Sequence, residues 1–246
     1  MISTRPSRVS HGSRFVVLSI AAALAVGLVS VAANAAVTLQ NMEIIKIVDG
    51  DTVHVLDQSG KKIKIRMVGM DTPELHLATE NGFQGQLPWG DDAAEYLAQL
   101  LPLGAKVEVI SFGQDKYGRT LGQVIYRGLN VNVEQVQQGH AVSYVICNTG
   151  ACTKQDLEEQ LTATLQSACN EAQKARRGIF SASNPLKELP FEFRLRLQHR
   201  KPDKFVGDLR TQEYVTPERY KEIPACDRLF FLSESDAKTL GYSFRK

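Results

Sequence analysis

Between residues 41 and 68 the chain alternates apolar and polar residues in short runs separated by turn dipeptides. Few folds satisfy that pattern. Ile44, Ile45, Ile47 and Val48 give residues 41–48 strand composition, and Asp49-Gly50 then marks a turn. Val53 and Val55 alternate with Thr52 and His54 before a second turn at Ser59-Gly60. In residues 61–68, Ile63, Ile65 and Met67 fall on one side, and Lys62, Lys64 and Arg66 on the other. Three strands joined by short turns predict a β-meander.

The following residues extend that frame. Residues 71–90 read as a long loop, with Asp91 or Asp92 capping a helix to about Leu101 whose stripe is Ala94, Leu97, Ala98 and Leu101. Two further strands are predicted over 107–110 and 120–126, joined by the polar segment Gly113–Arg119. A short helix over 131–138 stops at Gly139, and residues 141–146 are extended. One long helix begins at Thr153, carries Leu157, Leu161, Leu165, Ala168 and Ala172 on one face, and ends near Arg176-Arg177-Gly178. Five strands and three helices in this order predict an α+β fold, a five-stranded OB-type Greek-key barrel with helices packed on it.

The two ends of the chain differ from this middle. Arg5, Arg8 and Arg14 precede an apolar run over residues 15–31 and the small-x-small pattern Ala33-Asn34-Ala35. That pattern predicts a signal peptide over 1–35 cleaved near Ala35, and a secreted or periplasmic product. The rival reading is an uncleaved membrane anchor. No other segment is apolar and long enough to span a bilayer. Residues 36–180 form the expected main domain, and 181–246 a C-terminal extension with a small α/β module rich in aromatics. In the extension, residues 191–197 alternate Phe191, Phe193, Leu195 and Leu197 with Glu192, Arg194 and Arg196, the period of a half-buried strand.

Formal charge is −4 over residues 36–180 and +3 over 181–246. Bulk charge therefore excludes the main domain from the class of basic nucleic-acid binders, and any affinity for phosphate must come from a local site. After export, disulfides are permitted. Cys147 and Cys152 could bridge locally across a turn, leaving Cys169 and Cys226 to tie the extension to the main domain. The alternative is four reduced thiols, and the spacing is not a zinc pattern.

Three segments carry chemistry-bearing side chains: Asp49-Gly50-Asp51-Thr52, the stretch from Arg66 to Asp71-Thr72-Pro73-Glu74, and Asp115-Lys116-Tyr117-Gly118-Arg119. Singly they read as a surface turn, a surface ion cluster and a polar hairpin loop. Together, in this order and spacing, they resemble the staphylococcal nuclease (thermonuclease) family. The resemblance covers roughly residues 41–180 and includes Gly128-Leu129-Asn130-Val131-Asn132 and Gly178-Ile179-Phe180. It implies a calcium-dependent enzyme that hydrolyses DNA and RNA. Asp51 and Asp71 would bind Ca²⁺ through carboxylates and Thr72 through its backbone carbonyl, with Asp49 nearby. Arg66 and Arg119 would grip the scissile phosphate, and Glu74 would hold the attacking water. Asp115, Lys116, Tyr117 and Tyr144 would contact substrate. Ile146 stands where the family often has a second tyrosine. The product is expected to be a monomer, free of membrane once the leader is removed. The alternative is a catalytically silent nuclease-like module that binds nucleic acid or protein.

The extension resembles small metal-binding modules appended to some bacterial nucleases, in residues 205–214 and 233–242. Val215 and Arg219 stand where those modules have His and Cys, and a closing Cys pair is lacking, which implies a packing module without zinc.

Overall fold

Inward-pointing alternate residues close the first strands into a barrel. The computed structural model describes residue 1 and residues 36–80, 82–147 and 153–246. Residues 2–35 of the expected leader and Cys152 fall outside these described residues. Strands β1 (Val37–Ile47), β2 (Thr52–Leu56) and β3 (Lys62–Met67) form the predicted meander. Next come β4 (Gly69–Asp71), the hairpin β5 (Leu77–Thr79) and β6 (Gly82–Gln84), helix α1 (Trp89–Leu100), β7 (Lys106–Gln114) and β8 (Thr120–Tyr126). The barrel order is β3-β2-β1-β7-β8, and β8 pairs in parallel with β3 to shut it. Met42, Ile44, Val53, Val55, Ile65, Met67, Val107, Val109 and Val124 fill the interior, each at most 2% exposed. The five-stranded OB-type α+β fold is thus present.

After β9 (Leu129–Asn130), helix α2 (Val131–Gln137) starts at Asn130, whose side chain accepts from Val133 N at 3.1 Å. Strand β10 (Val142–Cys147) follows. The expected long helix is two: α3 (Lys154–Glu159) and α4 (Thr162–Ala175). Thr153 and Asp156 do form the capping box, but Leu161 takes a left-handed conformation with φ +55°. That turn redirects the chain so that Leu165, Ala168, Cys169 and Ala172 are buried.

Two more expectations need correction. Residues 71–90 are not all loop, since they hold the β5–β6 hairpin. Helix α1 starts at Trp89, so Asp91 and Asp92 lie in its first turn, where the helix dipole favours carboxylates. Its buried face is Gly90, Ala93 and Leu97, while Ala98 is exposed.

Residues 190–197 are not a strand but helix α5 (Pro190–Leu197). Proline is well placed at a first helical position, and Glu192 accepts from the backbone N of Leu189 at 3.2 Å. These start signals override the alternation. The helical spacing then buries Phe191 and turns Arg194 towards the barrel.

The remaining elements are β11 (Phe205–Asp208), β12 (Glu213–Val215), β13 (Arg228–Phe231), α6 (Glu234–Thr239) and β14 (Ser243–Phe244). They join two earlier strands in one sheet ordered β14-β12-β11-β13-β10-β4. β13 runs parallel to β10, and β10 pairs antiparallel with β4, with Val142 opposite Asp71. The sheet built by the C-terminal residues therefore ends on the strand that carries Asp71. Cys169 of α4 is bonded to Cys226 across 57 residues, as one sequence reading had it. Cys147 is also disulfide-bonded. Gln166 and Asn170 add hydrogen bonds of 2.9 and 3.0 Å to Asp227 Oδ1. Val215 is buried and Arg219 pairs with Glu222 at 2.6 Å, so of the two positions compared with metal ligands one sits in apolar packing and the other in an ion pair. No helix among the described residues is long and apolar enough to cross a membrane.

Candidate active site

The turn between β1 and β2, the end of β4 and the β7–β8 loop meet at one mouth of the barrel. Thr52 lies opposite Arg66 in the β2–β3 ladder, and Arg66 opposite Leu121 in the β3–β8 ladder. This register puts Asp51, Arg66 and Arg119 around one pocket of about 460 Å³, with Asp49, Glu74 and Tyr117 in its wall. Asp51 is 3% exposed and Asp71 fully buried.

Each acidic side chain is positioned by several bonds. Asp51 Oδ2 accepts from the backbone N and Oγ1 of Thr72 at 3.3 and 3.1 Å, and Oδ1 from Thr52 Oγ1 at 3.1 Å. Arg66 pairs with Asp51 Oδ1 and donates from Nη2 to Asp71 Oδ1 at 3.0 Å. One guanidinium thus bridges the two buried carboxylates and offsets the cost of burying them. Asp49 accepts from the backbone N of Asp51 at 3.0 Å, and burial pushes its carboxyl above the usual aspartate range.

Two polar side chains outside the three motifs hold this arrangement. Gln135, fully buried on α2, donates to the carbonyls of Gly50 at 2.8 Å and Ala93 at 3.1 Å. It clamps the acidic turn onto α1. The contact is so close that a Cβ on Gly50 would lie 2.7 Å from Ala93 Cβ and 2.8 Å from Thr72 Oγ1. Gln86, 8% exposed, does the same for Glu74. Its Oε1 accepts from Glu74 N at 3.1 Å, and its own backbone N donates to Glu74 O at 2.7 Å. A Cβ on Gly90 would come within 2.6 Å of that same carbonyl. Gln135 had a weak signal in the sequence, a polar residue that shares a helix face with Val131 and Val136. Gln86 had none, because its loop mixes polar and apolar residues without a period.

The β7–β8 loop presents Arg119. Asp115 Oδ2 accepts from Arg119 Nε at 2.7 Å, and Oδ1 from the backbone N of Tyr117 and Arg119, both at 2.9 Å. Burial raises the Asp115 carboxyl, but these hydrogen bonds outweigh it and hold it below the usual range. Asp115 is thus the brace of its loop and not part of the pocket wall, while Lys116 is exposed. Tyr117 is exposed at the rim, 5.7 Å from the Arg119 guanidinium. Tyr144 is not in the pocket wall. Its ring packs against Phe230 at 4.6 Å and Phe191 at 5.6 Å, and Ile146 lies against the same apolar cluster. The C-terminal residues cover the face on which the resemblance placed a nucleotide contact.

A further residue stands in the pocket, and the strand reading of 191–197 had hidden it. Arg194 of α5 donates from Nη1 and Nη2 to both oxygens of Asp71, each at 2.9 Å, and from Nη1 to Glu74 Oε1 at 2.6 Å. Burial pushes the Glu74 carboxyl above the usual glutamate range, and Arg194 pulls it back. Among the described residues, no three of His, Cys, Asp and Glu are grouped so as to hold a metal ion. The Asp71 oxygens face guanidiniums instead. The donors that a hard cation would use, Asp51 and Asp71, are nevertheless all-oxygen and buried side by side on Arg66, which suits Ca²⁺ chemically.

Comparison with known proteins fits this geometry. The family model described as "Staphylococcal nuclease homologue" matches residues 64–182. "Endonuclease YhcR" of Bacillus subtilis is 40% identical over 205 residues, 82% of this chain and 16% of that protein. This chain therefore spans less than a fifth of the Bacillus protein. An "Uncharacterized endonuclease" of Escherichia coli O157:H7 is 34% identical over 144 residues, 58% of this chain and 78% of that protein. The "Thermonuclease" of Staphylococcus hyicus is 34% identical over 86 residues, 35% of this chain and 48% of that protein. The family match begins two residues before Arg66 and runs past Arg119 and beyond the end of α4, and the Escherichia coli protein is covered over most of its length, so this chain belongs to the staphylococcal nuclease family.

Proposed function

We propose that the protein is a nuclease, a hydrolase that cuts phosphodiester bonds of DNA and RNA with a bound Ca²⁺. The observation that carries this reading is the convergence of Arg66, Arg119 and Glu74 on one pocket beside the buried pair Asp51 and Asp71. The names of the relatives, two endonucleases and a thermonuclease, support it.

A phosphodiester is an anion, so a hydroxide approaching it is repelled. Asp51, Asp71 and the carbonyl of Thr72 would hold the cation, which supplies charge compensation and Lewis-acid polarisation of a phosphoryl oxygen. The chain's own residues do the rest. Arg66 and Arg119 provide forked donors that follow the phosphoryl oxygens as negative charge builds up. Glu74, raised by burial, accepts a proton from water or orients that water for attack. Asp115 keeps the Arg119 fork aimed inward. Tyr117 at the rim offers a ring for a base to stack on. Substrate attraction is local, since the main domain carries a net charge of −4.

The leader read in the sequence supports a secreted or periplasmic protein. Degradation of single-stranded DNA, duplex DNA and RNA, with Ca²⁺ and with chelator, tests the reading. Cleavage of both nucleic acids that stops on chelation is expected. No cleavage at any calcium level would overturn it. Arg119→Ala should lose orders of magnitude in rate with the fold intact, and near-normal activity would reject its role.

A further inference from the structure

The matched family core ends at residue 182, yet the strongest contacts to Asp71 and Glu74 come from beyond it. Arg194 sits on α5, and α5 is anchored against the pocket at several points. Gln86, which holds Glu74, also donates to the carbonyl of Glu188 at 2.7 Å, just before the helix. Phe191 and Phe193 are buried at 7% and 8% exposure. Phe191 packs on Phe230 of β13, the strand that continues to β10 and β4. The Arg194 guanidinium is therefore delivered by a packed scaffold.

Its geometry is specific. Both Asp71 oxygens accept from Arg194 in a fork, and Oδ1 also accepts from Arg66. A carboxylate engaged in this way has little left for a cation. Bound cation and bound guanidinium exclude one another at Asp71, so each weakens the other by the same factor.

We propose that Arg194 is a further residue of the nuclease site, an internal counter-ion that occupies Asp71 and Glu74 and must be displaced from Asp71 by the divalent cation. This rests on the calcium reading above and adds that the C-terminal segment sets the cation affinity. While the pocket is without cation, Arg194 neutralises a carboxylate that no solvent reaches. When Asp71 turns to a cation, the guanidinium keeps its contact with Glu74 and stays in the pocket wall.

The test is calorimetric titration of the signal-free chain with Ca²⁺, without substrate. Arg194→Ala is expected to bind Ca²⁺ about tenfold more tightly than the wild type, because the competing fork is gone. Arg194→Lys, a point charge without the fork, should fall between them. Arg196→Ala, two residues on and 57% exposed, should match the wild type. Thermal melting followed by circular dichroism shows whether each variant is folded, and Arg194→Lys keeps the comparison open if the alanine variant is not. Equal or weaker binding in folded Arg194 variants overturns the proposal. No binding by the wild type or any variant is a different pattern, and it removes the calcium reading itself.

Discussion

Gln86 grips the peptide units on both sides of Glu74, accepting from its backbone N at 3.1 Å through Oε1 and donating to its carbonyl at 2.7 Å from its own backbone. The carboxylate assigned to water is thus fixed through its main chain. Gln86→Ala should lower kcat about tenfold while leaving KM for DNA near its normal value, because the backbone N of Glu74 is left without its partner. Gln86→Glu retains an acceptor for that N–H and should recover part of the loss. Steady-state kinetics on the three proteins checks this. An equal drop in Gln86→Glu would show that the side chain acts through the bond to Glu188.

A second buried amide holds the acidic turn. Gln135 is fully buried and donates to Gly50 and Ala93. Gln135→Leu keeps the volume but strands the buried carbonyl of Gly50, while that of Ala93 keeps its partner within helix α1, a change that costs about 1–3 kcal/mol. Urea unfolding should show a lowered midpoint with an unchanged slope. Calcium affinity should fall with it, since Asp51 follows Gly50 directly. Unchanged stability would mean that the Gly50 carbonyl finds another donor.

These two glutamines show where sequence reading stops. The barrel was legible because a strand face has period two, and Ile63, Ile65 and Met67 can only point one way. Arg66, Asp71, Glu74 and Arg119 could be singled out only because three motifs, each an ordinary surface feature alone, stand in the order and spacing of the staphylococcal nuclease family. Arg194 was not. Residues 191–197 alternate as a strand does, and only Pro190 and Glu192 hint at the helix that aims it. The packing of Tyr144 outside the pocket wall was not legible either, because its cover, Phe191 and Phe230, comes from 47 and 86 residues later and leaves no trace near it.

The Cys169–Cys226 bond closes a 57-residue separation, which by chain-entropy reckoning contributes about 4 kcal/mol. It ties α4 to the segment before β13, and so to the sheet that ends on Asp71. The double variant Cys169→Ala with Cys226→Ala should melt several degrees lower. Hydrogen exchange should quicken most in residues 190–246 and least in the barrel strands. Uniform quickening throughout would show that the extension and barrel unfold as one unit.

His140 gives the chain an acid-side sensitivity of its own. Its ring stacks on Tyr96 at 4.3 Å, and its Nδ1 is buried without a hydrogen-bond partner among the described residues. Burial pushes its pKa below the ordinary 6.5, with Asp92 opposing the shift. The unfolded chain therefore takes up a proton at a pH where the folded protein does not. Stability from this group is full above pH of about 6.5 and is lost as pH falls from there through the lowered folded value. His140→Phe keeps a ring on Tyr96 and cannot titrate. Denaturant unfolding of both proteins between pH 7.5 and pH 5 should show the wild type losing more stability than the variant, although acidic groups weaken both at the lower end. Parallel curves would mean that His140 protonates in the folded protein as readily as in the unfolded chain, with solvent reaching the ring past Tyr96.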